Sequence, residues 1–276
     1  MKKFLYEYYL YFTSAWFAYW LRREINNDPA FCFFIGYGRS GHSLIGALID
    51  AHPQIIISHE QNILKYLRRG YGKYQLYWLM IRNSKLSAKN GRKWNGYSYQ
   101  VPGLWQGKYR NLLVIGDKKG GGTTHLFAED TKLLNEIHNV FVKSYAIHVI
   151  RNPFDIISTQ AKRANPSNIT KPGLEKQINH FFKMVDVIDK IKKTSRLNIL
   201  DIYFEDLISE PVAELRKVLD FFNIEANDEY FESCTRIINK KIHKSRFEIH
   251  WTADLISKVE LQINKFDFLK NYKYNC

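Results

Sequence analysis

The segment that most constrains the fold is residues 31–53, which read FCFFIGYGRSGHSLIGALIDAHP. Phe31 to Ile35 form an uninterrupted apolar run, which predicts a buried strand. A glycine-rich turn follows, and a helix is predicted from Ser43 to Ala51. Because such a turn leaves several backbone N–H groups free in front of a helix N-terminus, it is a ready site for an anion. The segment therefore predicts a strand, turn and helix that bind a phosphate-type group.

The spacing within this turn is that of a P-loop. Gly36 is followed by four residues, then Gly41, one variable position and Ser43, which matches G-x-x-x-x-G-K-[ST] except at the lysine. His42 stands in the lysine position, so the residue that reaches the β- and γ-phosphates of a nucleoside triphosphate is missing. Arg39 offers a planar, permanently charged donor earlier in the loop. The loop therefore suits a ligand with one phosphate-like arm better than a triphosphate.

Apolar runs that can form strands recur along the chain, separated by helical patterns or long crossovers. Besides 31–35 they cover residues 54–58, 112–115, 146–150 and 199–202. This alternation predicts an α/β fold with a P-loop-type, mainly parallel β-sheet flanked by helices. The length of 276 residues supports a single domain of this kind, which we place at 30–276, after an N-terminal aromatic helix at 1–29.

Polar or charged residues follow all five predicted strands, where ligands bind in parallel sheets. After the glycine turn these residues are His59-Glu60, Asp117 to Lys119, Arg151 to Pro153 and Glu205-Asp206. We expect one site at this sheet edge. Glu60 is a candidate base that would take a proton from an acceptor hydroxyl, with His59 as its rival. Glu205 and Asp206 are expected to be structural.

Residues 61–116 contain no Asp or Glu but eleven Lys or Arg and ten aromatic residues. The part from Asn62 to Ile81 has a helical pattern, and the rest is looped. We interpret about 61–111 as a basic aromatic insertion that binds the acceptor, because rings can stack on sugar faces while basic groups hold acidic ones. A nucleic-acid surface would use the same residue types and is the weaker alternative. A solvated basic face is the third interpretation.

The N-terminal run from Tyr8 to Leu21 is uncharged and rich in Tyr and Trp. It is shorter than the roughly 20 apolar residues of a spanning helix. Two interpretations stay open: peripheral membrane contact through residues 4–21, or a helix docked on the domain's own surface. The cysteines, Cys32, Cys234 and Cys276, are odd in number and far apart. They predict a reducing, cytoplasmic setting, with membrane association open.

The segment GRSGHSLIGALIDAHP resembles the phosphosulfate-binding loop of sulfotransferases that use 3′-phosphoadenosine 5′-phosphosulfate (PAPS). Arg39, Ser40, Gly41 and Ser43 fit that loop, whereas His42 departs from the family's usual Thr. The helix ends in Asp-x-His-Pro, as in many members, here with Asp50, His52 and Pro53. The resemblance implies PAPS as co-substrate, with no metal. It assigns the donor's phosphosulfate to the loop residues Gly38, Arg39, Ser40, Gly41, His42 and Ser43.

The segment VIRNPFDIIST is similar to the part of these enzymes that binds the 3′-phosphate of the donor. Asn152 is predicted to cap a helix that begins at Pro153. The resemblance implies that Arg151 and a hydroxyl eight residues later, Thr159, hold the 3′-phosphate, with Ser158 as a substitute. It also assigns Ser245 and Arg246 to a basic loop that closes over the nucleotide.

Three residues are expected to carry the chemistry. Glu60 falls where the sugar- and tyrosine-modifying branch of the family has its glutamate base. Lys118, preferred over Lys119, matches an Asp-Lys pair of the family, and together with Arg39 it would stabilise charge on the leaving phosphate. The predicted reaction is sulfuryl transfer from PAPS to a hydroxyl or amine, with an acidic or carbohydrate acceptor. The alternatives are a P-loop kinase that uses Mg-ATP and a non-catalytic protein that binds glycans or nucleic acid.

Overall fold

Seven strands and twelve α-helices make up the computed structural model, which describes residues 2–25, 27–130 and 132–275. The strands are β1 (Ala30–Ile35), β2 (Ile55–His59), β3 (Lys93–Trp94), β4 (Tyr97–Ser98), β5 (Val114–Lys118), β6 (Ser144–Ile150) and β7 (Asn198–Tyr203). The helices are α1 (Lys2–Glu24), α2 (His42–Ile49), α3 (Ile63–Leu67), α4 (Lys73–Lys89), α5 (Gly120–Glu129), α6 (Leu133–Val140), α7 (Pro153–Ala164), α8 (Lys171–Thr194), α9 (Phe204–Ser209), α10 (Pro211–Phe222), α11 (Asp228–Arg236) and α12 (Ala253–Ile263). The expectation for Cys276 lies outside the described residues.

The central sheet has five parallel strands in the order β2-β5-β1-β6-β7. The predicted α/β fold is confirmed, and each of the five predicted strands is present. The largest difference is at β5, which continues through Lys118 and so brings the predicted Asp117 and Lys118 into the strand. Its register sets Ser58 opposite Asp117 and His59 opposite Lys118. The polar ends of β2 and β5 are therefore neighbours.

Helices cover both faces of this sheet, which explains why the strands read as continuous apolar runs. In β1 the side chains of Phe31, Phe33 and Ile35 belong to one buried cluster, and those of Cys32 and Phe34 belong to the other. All six residues of this strand are buried. Because successive side chains of a strand point to opposite faces of the sheet, β1 contributes to two hydrophobic cores.

The helical patterns predicted at 62–81 and near 256–269 have different bounds in the structure. The helical pattern from Asn62 to Ile81 is divided into α3 and α4 by a turn in which Gly70 has a φ of 79°, a backbone conformation that glycine adopts without strain. The helix expected near Ile256 to Leu269 is α12, which ends at Ile263. Within the insertion, β3 and β4 form a small antiparallel hairpin, 93–98, apart from the main sheet.

Helix α1 packs along α4 through one of its faces. Leu10, Ser14 and Leu21 are buried there, and the Gln75 side chain donates a hydrogen bond to Ser14 Oγ at 3.1 Å. The Phe17 ring stacks on Trp78, with the ring centroids 5.1 Å apart. The docked-helix interpretation therefore accounts for this face, while the other face carries exposed rings. None of the helices in the described ranges is long and apolar enough to cross a membrane.

Candidate active site

The turn between β1 and α2 has the backbone geometry that its glycines allow. Gly36 and Gly41 have φ values of 140° and 103°, and Arg39 between them is also left-handed, at 77°. A Cβ at Gly41 would lie 2.3 Å from the Phe204 ring, so this position requires glycine for space as well as for conformation. The turn opens directly into the N-terminus of α2, as a cradle for an anion requires.

The second glycine-rich segment, Gly120 to Gly122, packs against this turn. A Cβ at Gly120 would lie 2.2 Å from His42 Nε2, and one at Gly121 would lie 3.3 Å from the backbone nitrogen of Gly38. The Gly36 N–H donates a hydrogen bond to Thr124 Oγ1 on α5 at 2.8 Å. The two glycine-rich segments therefore approach each other closely, with no room for a side chain at Gly120.

His42 is buried where a P-loop NTPase has its lysine. Burial first, and then the charge of Lys118, lowers the pKa of its imidazole to about 3, so this residue is neutral at physiological pH. Its Nε2 is buried without a hydrogen-bond partner. The structure therefore gives position 42 no permanent positive charge to offer a phosphate.

A cavity of about 490 Å³ opens at the carboxyl edge of the sheet, above the turn. Its lining joins the glycine turn to the ends of β2, β5 and β6, and the β3–β4 hairpin lies along it. Hairpin and neighbouring residues in the lining are Trp94, Asn95, Tyr97, Ser98 and Tyr99. Apolar residues in the lining are Leu44, Phe204, Ile208 and Ile237. The cavity is large enough for a nucleotide, and its lining offers both apolar and charged surfaces to such a ligand.

Three arginines line this cavity: Arg39, Arg151 and Arg163. Within the described part of the chain, none of them has a carboxylate oxygen within 4.0 Å. Burial first, and then repulsion from Arg163 and Arg151, lowers the pKa of Arg39. Arg151 donates to the backbone oxygens of Arg39, at 3.2 Å, and His243, at 2.5 Å. Three cations that lack acidic partners make this side of the cavity suited to a polyanion.

A second charged group lies at the ends of β2 and β5, where Glu60 meets two lysines. Lys118 Nζ is 2.6 Å from Glu60 Oε1 and 3.0 Å from Ser43 Oγ, and Lys119 Nζ pairs with Glu60 Oε2. Burial alone would raise the pKa of Glu60, but the two lysines outweigh it and lower the pKa to about 2. Lys118 is 1% exposed and lies behind the cavity wall, whereas Lys119 and Glu60 line the cavity.

Asp117 holds the turn that carries Glu60. This carboxylate is buried and accepts hydrogen bonds from Ser58 Oγ at 2.7 Å, the Gln61 N–H at 3.1 Å and the Ile63 N–H at 2.9 Å. Glu60 itself has a φ of 57°, a conformation that is costly for a residue with a side chain. Asp117 therefore fixes a strained turn in the position that lets Glu60 reach both lysines.

A buried ion pair between Asp50 and Arg92 holds the β3–β4 hairpin against the sheet. Asp50 also accepts hydrogen bonds from the N–H of Ile57 at 2.5 Å, from Ser84 Oγ at 2.8 Å and from the N–H of Gly107 at 3.0 Å. Both members of the pair are 2% exposed or less. Asp50 is the first residue of the Asp-x-His-Pro motif, so this motif supplies the carboxylate that holds the insertion in place through Arg92.

His59, the rival base, lies behind the hairpin. Burial first, and then Lys118, lowers the pKa of its imidazole to about 3. Its ring meets the edge of Trp94, with centroids 4.9 Å apart, and its Nε2 is buried without a partner. The neutral imidazole of His59 could accept a proton. Of the two candidate bases, however, Glu60 lines the cavity and His59 does not.

The structure brings most of the expected site residues together. The residues Gly38, Arg39, Gly41, His42, Ser43, Glu60 and Arg151 all line the cavity. Ser40 is buried beneath the turn, where its hydroxyl donates to Tyr37 O at 3.2 Å.

Besides Ser40, four of the expected donor-binding residues lie outside the cavity lining: Ser158, Thr159, Ser245 and Arg246. Ser158 accepts a hydrogen bond from Trp251 Nε1 at 3.1 Å, and the hydroxyls of Thr159 and Ser245 lie 2.9 Å apart. Arg246 forms a buried ion pair with Asp155 at 2.6 Å. All four side chains are therefore engaged in packing the tail of the chain onto α7.

A second cavity of about 320 Å³ adjoins the first and shares Gly38, Arg39, Gly121 and Arg163 with it. Its other side carries the stacked imidazoles of His125 and His180, with ring centroids 5.4 Å apart. No group of three or more His, Cys, Asp or Glu side chains able to hold a metal occurs among the residues that the structure describes. The charged groups of the site are thus arginines, lysines and a single glutamate.

Comparisons with known proteins agree with this architecture. A model of the Sulfotransferase family matches residues 32–228. A curated relative, protein-tyrosine sulfotransferase A of Caenorhabditis elegans, is 21% identical over 237 residues, which are 81% of this chain but only 57% of that protein.

Two solved structures share the fold. The sulfotransferase domain of the Synechococcus PCC 7002 olefin synthase is 15% identical with a TM-score of 0.51, and the match covers 86% of this chain and 94% of that one. A sulfotransferase from Mycobacterium tuberculosis H37Rv is 12% identical with a TM-score of 0.52, over 92% of this chain and 81% of that one.

Proposed function

The chain belongs to the sulfotransferase family, and on that premise we propose that it transfers a sulfuryl group from PAPS to a hydroxyl or amine of an acceptor. The observation that carries the proposal is one cavity in which a P-loop turn, three arginines without acidic partners and the Glu60–lysine group all meet. The family match covers the segments that supply most of these groups.

The arginine side of the cavity fits the donor. PAPS carries phosphate groups on both sides of its ribose, and Arg39 and Arg151 line the same cavity, at the ends of β1 and β6. The buried Nε atoms of both arginines lack hydrogen-bond partners, so they retain donors for an anion. We assign the phosphosulfate to the turn and Arg39, and the 3′-phosphate to Arg151. The apolar residues Leu44 and Ile237 are available to the adenine ring.

The lysine side fits the chemistry. Glu60 accepts the acceptor's proton while the acceptor oxygen or nitrogen forms a bond to sulfur and the bond between sulfur and the phosphate oxygen breaks. Arg39 and the amides of the turn stabilise the charge that develops on the leaving adenosine 3′,5′-bisphosphate (PAP). Lys118 holds both Glu60 and Ser43, and so links the base to the turn.

The acceptor is proposed to bind beside the β3–β4 hairpin, because its rings line the cavity next to Glu60. Flat aromatic side chains such as Trp94 and Tyr97 suit a sugar face, and they also suit a phenol ring. A carbohydrate is the acceptor expected from the basic aromatic insertion, and the name of the C. elegans relative favours a protein tyrosine as the competing choice. Two buried unpaired thiols, Cys32 and Cys234, support the proposed reducing, cytoplasmic setting.

Glu60→Gln tests the assignment. We expect activity to fall by about 10²- to 10⁴-fold, because the proton acceptor is lost, while PAP still binds. Activity is measured as the gain of one sulfate mass on sugars and on tyrosine peptides, and PAP affinity is measured by calorimetry. Glu232→Gln, at an exposed site on α11, is the matched control and should retain full activity.

Three results would oppose parts of this proposal. Preference for Mg-ATP over PAP would support the kinase alternative instead. PAP binding without turnover of any acceptor would support a non-catalytic binding protein. Full activity of Glu60→Gln would move the base assignment to His59.

A further inference from the structure

The outward face of α1 is an unbroken aromatic stripe. Leu5, Tyr9, Phe12 and Trp16 follow each other at the spacing of one helix face, and Tyr19 and Trp20 continue it. Phe12 and Trp16 are 65% and 68% exposed, and Tyr9 is 62% exposed. We call this surface, Leu5 to Trp20 on the outer side of α1, the aromatic stripe. Large apolar groups that are contiguous and exposed mark an interaction surface.

The proposed sulfotransfer does not use this stripe. The inner face of α1 packs on α4 through Leu10, Ser14 and Leu21, so the stripe lies on the opposite side of its helix. None of its residues lines either of the two cavities at the sheet edge. The stripe therefore needs a partner other than the donor or the acceptor in the active site.

The acidic and the basic residues around the stripe differ in their contacts. The two acidic residues of α1 are engaged by the domain: Glu7 pairs with Arg69 at 3.2 Å, and Glu24 accepts from Tyr109 at 2.7 Å. By contrast, the Arg23 guanidinium lies over the Tyr19 ring, 4.6 Å from its centroid. Arg82 lies over Trp78, the ring on which Phe17 stacks. Arg23 therefore borders the stripe and Arg82 borders the neighbouring Phe17–Trp78 stack, while the two carboxylates of α1 are already engaged.

We propose that the aromatic stripe docks the protein on the surface of an anionic lipid bilayer. Tyr and Trp are the residues enriched at the depth of lipid headgroups, because each has an apolar ring and a polar edge. Arginines at the border attract anionic headgroups, as does the net charge of +14. Because α1 is held lengthwise against α4, the helix lies on the bilayer rather than entering it.

The test is flotation of the full chain with vesicles of phosphatidylcholine mixed with phosphatidylglycerol, and with vesicles of phosphatidylcholine alone. We expect binding to the anionic vesicles. The double variant Phe12→Gln/Trp16→Gln should reduce the partition coefficient by about tenfold or more, because two large exposed side chains lose their apolar contact with lipid. Val142→Gln/Leu261→Gln removes two apolar side chains elsewhere that are at least as exposed, and it should leave vesicle binding unchanged.

Two further measurements make the result decisive. PAP affinity equal to that of the wild type shows that the double variant is folded. Arg23→Gln should lower the preference for anionic vesicles, and added salt should weaken the binding.

The proposal is overturned if the stripe variant floats as well as the control, because binding would then be electrostatic alone. It is also overturned if no vesicle is bound. If sedimentation in that case shows self-association that the stripe variant abolishes, the stripe is an interface between two copies of the chain.

Discussion

Two groups of cations lie beside the same cavity and differ in what neutralises them. Arg39, Arg151 and Arg163 form the first group, and no carboxylate of the described chain lies within 4.0 Å of them. Lys118 and Lys119 form the second, and both pair with Glu60. The first group is built to receive a negative charge from outside, whereas the second already contains one.

Under the proposed function, this difference separates donor binding from chemistry. Unpaired cations gain their partners only when an anion enters, so their electrostatic energy goes into affinity. The Glu60 group is satisfied beforehand, and its carboxylate is held ionised by its neighbours. An ionised carboxylate is a base that is ready before any ligand arrives. The same two lysines lower its pKa, so it is a weak base while both remain paired with it.

Arg151→Ala should have the largest effect on affinity, because it removes a cation for which the cavity has no substitute at the end of β6. We expect the dissociation constant of PAP to rise by about 30- to 1000-fold, or ~2–4 kcal/mol, as for the loss of one partner in a buried charge pair. Calorimetric titration measures it. Arg196→Ala, at an exposed arginine before β7, is the control and should bind PAP as the wild type does. An unchanged PAP affinity of Arg151→Ala would contradict the view that the unpaired arginines, rather than the paired lysines, supply the affinity.

Lys119→Ala should change the pH dependence more than the affinity. The pKa of Glu60 is lowered from 4.5 to about 2, so the stabilising ion pairs are complete above pH 4.5 and are lost as the pH falls towards 2. Removing one lysine should raise the pKa of Glu60. The acid limb of kcat/KM should therefore move to higher pH, and the loss of unfolding free energy between pH 5 and pH 3 should become smaller. An acid limb that stays in place would exclude Glu60 as the titrating base.

The β–α junctions were predictable because their signals are local. An apolar run followed by glycines and a helix start specifies the turn from residue 36 to 41 without knowledge of the remaining chain. The end of β2 and the end of β5 could be expected to meet for the same reason, since parallel strands present their carboxyl ends at one edge. Residues Arg39, Glu60 and Arg151 follow such ends directly, and all three line the cavity.

The residues that hold the site were not predictable, because their contacts join distant segments. The sequence places Asp117 at a polar strand end, but only the fold shows that it accepts hydrogen bonds from Ser58 and from the backbone of the turn at 61–63. Arg92 was one of eleven basic residues in the insertion, and only the fold shows that it meets Asp50. Spacing along the chain cannot separate a basic residue that is buried in an ion pair from one that faces a ligand.

Substitutions of hydroxyl side chains on α7 should have the smallest effect on PAP affinity. The sequence offers Ser158 as a substitute for Thr159 at the 3′-phosphate, but Ser158 accepts a hydrogen bond from the buried Trp251 Nε1. Ser158→Ala should leave the PAP affinity unchanged while lowering the free energy of unfolding by about 1–3 kcal/mol, because the indole N–H loses its partner. Denaturant melts and calorimetry on the same samples measure both quantities. Thr159→Val is the companion variant, since its hydroxyl contacts Ser245 instead. If either variant weakened PAP binding tenfold without loss of stability, the hydroxyls of α7 would bind the donor together with the arginines. The distinction between cations that bind the donor and side chains that pack the tail of the chain would then not hold at this helix.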